Sequence, residues 1–115
     1  MRATNAPASR ERRRRGLALA KGFYGARSKL FRSATEAVDR AMRLSTEHRK
    51  LRKREFRQLW IARINAAVRA EGISYSKFIA GLAKAGVALN RKMLSEIAIQ
   101  DPAGFKTIVE IAKNA

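Results

Sequence analysis

A chain of 115 residues has room for one ordinary domain, or for a small domain with an extension. Its 26 lysines and arginines against nine acids give a net charge of +17, far from the balance of a typical soluble enzyme and suited to a polyanionic partner. With no cysteine and one histidine, His48, it offers neither disulfides nor the ligands of a zinc or iron site, and no apolar run approaches the ~18 residues of a membrane span.

The charge is concentrated at one end. The first 60 residues hold 18 of the cations and five of the acids, a net +13, whereas the remainder nets +4 and holds most of the branched aliphatic residues. Residues 1–16, MRATNAPASRERRRRG, show no apolar periodicity. Arg12, Arg13, Arg14 and Arg15 repel one another there, so the segment is expected to stay disordered until counter-charges arrive. It is rich in arginine with no acid before Glu11 and has no apolar h-region. That makes it faintly like an organelle transit peptide, though too short to be a whole one, and unlike a secretory signal. Gly16, Gly22 and Gly25 punctuate the next stretch, where a helical turn over Leu17 to Lys21 is predicted before a bend.

No glycine or proline interrupts Arg27 to Glu71, and the composition favours helix. One long helix from Ser33 to Ala70, roughly 55 Å, is predicted. Glu36 with Arg40, and Asp39 with Arg43, stand in the favoured acid-first order for i,i+4 pairs. An apolar stripe of Ala34, Val38, Ala41 and Met42 opens this helix. A stronger one of Phe56, Leu59, Trp60, Ile64, Ala67 and Val68 closes it, and Trp60 is expected to pack between helices. Between the stripes, Arg49, Lys50, Arg52, Lys53, Arg54 and Arg57 cover most of the circumference. A helix of that kind suits surrounding phosphate better than a core.

Beyond Gly72 the pattern becomes one of short capped helices. Ser74 caps Tyr75 to Ala85, which Gly86 ends, with Phe78, Ile79 and Leu82 apolar. Asn90 caps Arg91 to Gln100, whose inner face is Leu94, Ile97 and Ala98. Asp101-Pro102 starts a last helix bearing Phe105, Ile108, Val109 and Ala112. These helices and the end of the long one make a small orthogonal bundle of ~50 residues, near the lower limit for folding alone. The fold class expected is all-α: an extended basic N-terminal arm and one long helix leading into a small C-terminal helical bundle. Residues 1–58 form the arm and long-helix segment, and 59–115 the globular domain that shares the end of that helix.

The cations of the first half outnumber the acids that could neutralise them, which points to phosphate contact. Arginine grips phosphate through a planar fork and lysine acts as a point charge. The expected phosphate-binding residues are Arg10, Arg12, Arg13, Arg14 and Arg15 in the arm, then Lys21, Arg27, Lys29, Arg32, Arg40 and Arg43. The set continues through Arg49, Lys50, Arg52, Lys53, Arg54 and Arg57 to Arg63. Phe23, Tyr24 and Phe31 alternate with these cations. Aromatic rings so placed stack on unpaired bases, and Phe23 and Tyr24 are counted with the binding set. No catalytic set, phosphate-binding glycine loop, nucleophile elbow or metal-ligand spacing is present. The Tyr75 and Arg91 helices offer too few polar groups for a DNA-reading helix-turn-helix.

Four segments resemble, in order, ribosomal protein L-twenty of the bacterial-type large subunit. They are KGFYGARSKLFR from Lys21, REFRQLWIARINAAVR from Arg54, GISYSKFIAGLAKAGVALNRKMLSEIA from Gly72 and DPAGFKTIVE from Asp101. The likeness covers about Lys21 to Lys113. It implies a basic arm and long helix threading large-subunit ribosomal RNA, an early role in assembling that subunit beside neighbouring ribosomal proteins, and no catalysis or cofactor. In some members of the family it also implies repression of their own messenger. The arm (RERRRR) and the mid-helix Ser45-Thr46-Glu47-His48-Arg49-Lys50 depart from the family's usual strings. The expected function is a structural, RNA-binding constituent of the large ribosomal subunit, without a membrane or small-molecule partner. Its expected setting is the ribosome of a bacterial cytoplasm, with an organelle ribosome as the variant. The competing readings are a free RNA-binding translational repressor or nucleoid-type DNA binder, and a membrane-active basic helix, which the broken apolar face over Arg43 to Arg57 disfavours.

Overall fold

The computed structural model describes residues 4–115. Every regular element among them is helical: α1 (Ala6–Leu19), a 3₁₀ turn (Gly25–Ser28), α2 (Phe31–Ala70), α3 (Tyr75–Lys84), α4 (Arg91–Gln100) and α5 (Pro102–Asn114). Contacts gather these elements into two units, one ending at Lys50 and one spanning Leu51–Ala115, and α2 supplies residues to both.

The first unit has a small core. Ala20, Ala34 and Val38 are buried, and Leu17 and Phe23 pack against them. α1 corrects the expectation of disorder over residues 1–16, of which residues 1–3 lie outside the described residues. Pro7 stands in its first turn, where the missing N–H has no intrahelical partner to lose. Alanine, leucine and arginine then carry the helix, and all three are good helix formers. Local contacts offset part of the arginine repulsion: Glu11 lies 3.4 Å from Arg15, and the Arg13 guanidinium lies 5.7 Å from the Phe31 ring centroid. Gly16 does not break the helix. A Cβ there would meet the Phe31 ring at 3.5 Å, so α1 passes close to the start of α2.

α2 begins two residues earlier than predicted and ends at the expected Ala70. Its ion pairs differ from those predicted. Glu36 turns back to Arg32 at 3.9 Å, and Arg43 reaches forward to Glu47 at 3.2 Å. Glu36 has an arginine four residues away on each side, and Arg43 an acid on each side, so spacing alone does not choose between partners.

The second unit is built as expected. Ile64 and Val68 of α2, Phe78 and Leu82 of α3, Leu94 of α4, and Phe105, Val109 and Ala112 of α5 form one buried cluster. The Phe78 and Phe105 rings meet at 5.7 Å between centroids, tilted by 47°, an arrangement aromatic pairs favour. The predicted caps are all made: Lys77 N–H donates to Ser74 Oγ at 3.5 Å, Met93 N–H to Asn90 Oδ1 at 2.9 Å and Gly104 N–H to Asp101 Oδ1 at 2.9 Å. Gly86 ends α3 at φ +70, with Val87 N–H donating to the Leu82 carbonyl at 3.0 Å, the bond of a Schellman turn. The same bond, Ile73 N–H to the Val68 carbonyl at 3.1 Å, closes α2. Two α5 lysines secure that end: Lys113 Nζ donates to the Glu71 carbonyl at 2.7 Å and Lys106 lies 3.5 Å from the Glu71 carboxylate. Cations are favoured at a helix C-terminus.

Trp60 departs from expectation. It is half-buried and stands outside the core cluster. Phe56 and Leu59, read as part of the same stripe, are exposed. The core face of α2 in this unit therefore starts at Ile64, about two turns later than the periodicity suggests.

Candidate nucleic-acid interface

In the first unit, α1 sets Arg10, Arg12, Arg13, Arg14 and Arg15 around its whole circumference, because successive residues advance by roughly 100°. All five are exposed. Ser9, Arg12, Arg13 and Phe31 line one recess of about 280 Å³. After α1 the chain turns through Lys21 to Tyr24. Phe23 is half-buried against Ala20, Ala34 and Val38, so its ring serves the core first. Tyr24 is 95% exposed. It sits between Gly22 at φ +88 and Gly25 at φ +61, two left-handed positions that turn the backbone tightly on either side of it. An apolar ring held out by its own backbone in this way is available for stacking.

Arg27 and Lys29 follow on the 3₁₀ turn and its cap, and Arg32, Arg40 and Arg43 continue along α2; all are exposed. Phe23, Arg27, Ser33, Glu36, Arg40 and Leu44 help to line a groove of about 510 Å³. The groove brings three of the predicted residues, Phe23, Arg27 and Arg40, to one place. Arg49 is held locally: its guanidinium donates to Ser45 Oγ at 2.6 Å and to Thr46 Oγ1 at 3.2 Å.

In the second unit, Arg52, Lys53, Arg54, Arg57 and Arg63 are all exposed on α2. Among the described residues, none of these, nor Lys50, forms an ion pair with an acid. On an α-helix the four cations from Arg52 to Arg57 occupy an arc of roughly 200°. That is a little over half the circumference, the majority of it as expected. Leu51 and Glu55 lie on the remaining side. Unpaired guanidinium and ammonium groups at this density attract anions strongly. Fixed on one helix, they present a surface to which a phosphate backbone is complementary. Among the described residues no three His, Asp or Glu side chains gather in the manner of a metal site. Among the described residues no helix is long and apolar enough to cross a membrane.

An all-helical chain with so many unneutralised cations on its surface has the charge pattern of polyanion-binding proteins. Comparison with known proteins narrows that class. The family model described as Ribosomal protein L20 matches residues 2–108. Large ribosomal subunit protein bL20 of Clostridium acetobutylicum is 60% identical over 112 residues, 97% of this chain and 92% of that one. The bL20 of Trichlorobacter lovleyi is 62% identical over 105 residues, covering 91% and 90%, and that of Syntrophotalea carbinolica 59% identical over 105 residues, covering 91% and 89%. The chain belongs to the ribosomal protein L20 family, a family of structural proteins rather than enzymes.

Proposed function

We propose that this protein is a structural constituent of the large ribosomal subunit, where it binds large-subunit ribosomal RNA and organises its folding early in assembly. The observation that carries the reading is the run Lys50, Arg52, Lys53, Arg54 and Arg57, exposed and without acid partners among the described residues. In the absence of a polyanion these charges repel one another. RNA phosphates replace that repulsion with attraction and release the counterions condensed on the RNA, which makes binding favourable and steeply dependent on salt. Shape and junction geometry supply the selectivity, since the deep major groove of A-form RNA hides its base edges from side chains. Holding two RNA segments against one helix lowers the free energy of the folded RNA relative to open forms, and that is how a protein with no catalytic group directs assembly.

The binding set proposed is the one read from the sequence, from Arg10 to Arg63, with Tyr24 as its stacking residue in the first unit. The names carried by the relatives support the large subunit as the setting, and their bacterial origin supports a cytoplasmic ribosome. Neighbouring large-subunit proteins are partners in that setting.

The test is a triple substitution of Arg52, Lys53 and Arg54 by Ala, assayed for binding to large-subunit ribosomal RNA across salt concentrations. The wild-type chain should lose about 10³–10⁵-fold in affinity between roughly 50 and 200 mM salt if ~6–10 phosphates are neutralised. The variant's salt slope should be shallower by about 2–3 units. An unchanged slope contradicts the assignment. Binding of duplex DNA in preference to structured RNA would favour a nucleoid-type role instead.

A further inference from the structure

Phe56 and Trp60 stand one turn apart on α2, with ring centroids 6.1 Å apart and planes tilted by 35°. Neither belongs to the core cluster of its unit. Phe56 is 47% exposed and Trp60 half-buried. Their neighbours three or four residues away along the helix include Arg52 and Lys53 before Phe56, Arg57 one turn before Trp60, and Arg63 one turn after it. All four are exposed, and none pairs with an acid among the described residues. Nor does any of them lie over a ring: the cation–ring contact among the described residues is Arg13 on Phe31. The cations thus border this aromatic pair without covering it.

We infer that Phe56 and Trp60 form a stacking ledge for one unpaired nucleotide of RNA, its base against the rings and its flanking phosphates on Arg52, Lys53, Arg57 and Arg63. Charge complementarity favours this occupant. An apolar protein surface seated on the rings would have to desolvate four cations beside them. A nucleotide brings a π face and anions together, the combination that single-strand sites use. Bases inside a paired stem are stacked on one another and are not available to the ledge. It therefore selects a looped, bulged or junction nucleotide. The inference rests on the RNA-binding reading above and adds the feature of the RNA that this part of α2 recognises.

Trp60 is the only tryptophan, so emission excited at the red edge, where the tyrosines do not absorb, reports on the ledge alone. The chain is titrated with a single-stranded oligouridylate, and in parallel with a fully paired RNA hairpin carrying the same number of phosphates. Stacking of a base on the indole quenches its emission. The oligouridylate should quench Trp60, and the hairpin should bind without quenching. Trp60→Leu, and separately Phe56→Leu, should weaken oligouridylate binding about 5- to 150-fold and leave hairpin binding unchanged. Far-UV circular dichroism checks that each variant keeps its helices, and the wild-type quenching needs no variant. Equal quenching by both RNAs, or none by either at saturation, overturns the ledge. So does quenching or a blue shift produced only by another ribosomal protein. Failure of the wild-type chain to bind either RNA would instead overturn the RNA-binding reading itself.

Discussion

A methyl group at Gly81 would collide with the backbone carbonyl of Ala112. Backbone cannot step aside as a flexible side chain does, so α3 and α5 lie as close as they do only because position 81 carries no Cβ. Gly81→Ala adds helix propensity worth about 1 kcal/mol but overpacks against backbone at a cost near the upper end of ~1–3 kcal/mol, so it should destabilise the protein by about 1–2 kcal/mol. Urea denaturation followed at 222 nm measures the difference. Tyr24 is the opposite case. With 95% of its surface exposed, it contributes little to packing, and Tyr24→Ala should change stability by no more than about 0.5 kcal/mol. Affinity for ribosomal RNA should nonetheless fall by about 1–3 kcal/mol if the ring stacks on a base. A stability loss without an affinity loss would return Tyr24 to a purely structural role.

Among the elements, α3, α4 and α5 were legible before any coordinates because their ends are written in short-range chemistry. Ser74, Asn90 and Asp101 each bond an N–H three residues on, and Gly86 supplies the left-handed residue after α3. α1 was not legible, for a physical reason. Mutual repulsion among arginines can be read from four adjacent residues, but the Arg13–Phe31 contact that offsets it joins positions 18 apart in sequence. Trp60 failed differently. Helical periodicity marks a stripe as apolar without saying where the neighbouring helices stop covering it, and the cover begins only at Ile64. The same limit applies to ion pairs such as Glu36, which had an arginine within reach in both directions. α1 itself remains the least supported helix. It is 14 residues long with no fully buried side chain, and isolated helices of that length are marginal in water. Screening its arginine–arginine repulsion should therefore raise its helicity. Far-UV circular dichroism of the full chain should gain helical signal on addition of inorganic polyphosphate, and a variant deleting residues 4–15 should not. Equal gains in both would place the change outside α1.

For the whole molecule, charge rather than hydrophobic burial is the distinguishing quantity. The buried side chains of the second unit come from four helices, enough for a small core. The first unit buries little beyond Ala20, Ala34 and Val38 and carries most of the net +17. Binding of RNA to the folded form would raise stability by mass action, and its phosphates would cancel part of the repulsion among the first unit's cations. The division also accounts for why function was readable from composition. Eighteen cations in 60 residues admit few partners other than nucleic acid, whereas the place where bases meet rings required the burial of each aromatic to be known. The most direct measurement is ultraviolet crosslinking in intact cells, with mapping of both the attached RNA and the attached peptide. Crosslinks should fall on large-subunit ribosomal RNA and on peptides from the Arg10–Arg32 and Arg49–Arg63 stretches. Crosslinks confined to messenger or small-subunit RNA, or carried only by α3 to α5, would contradict it.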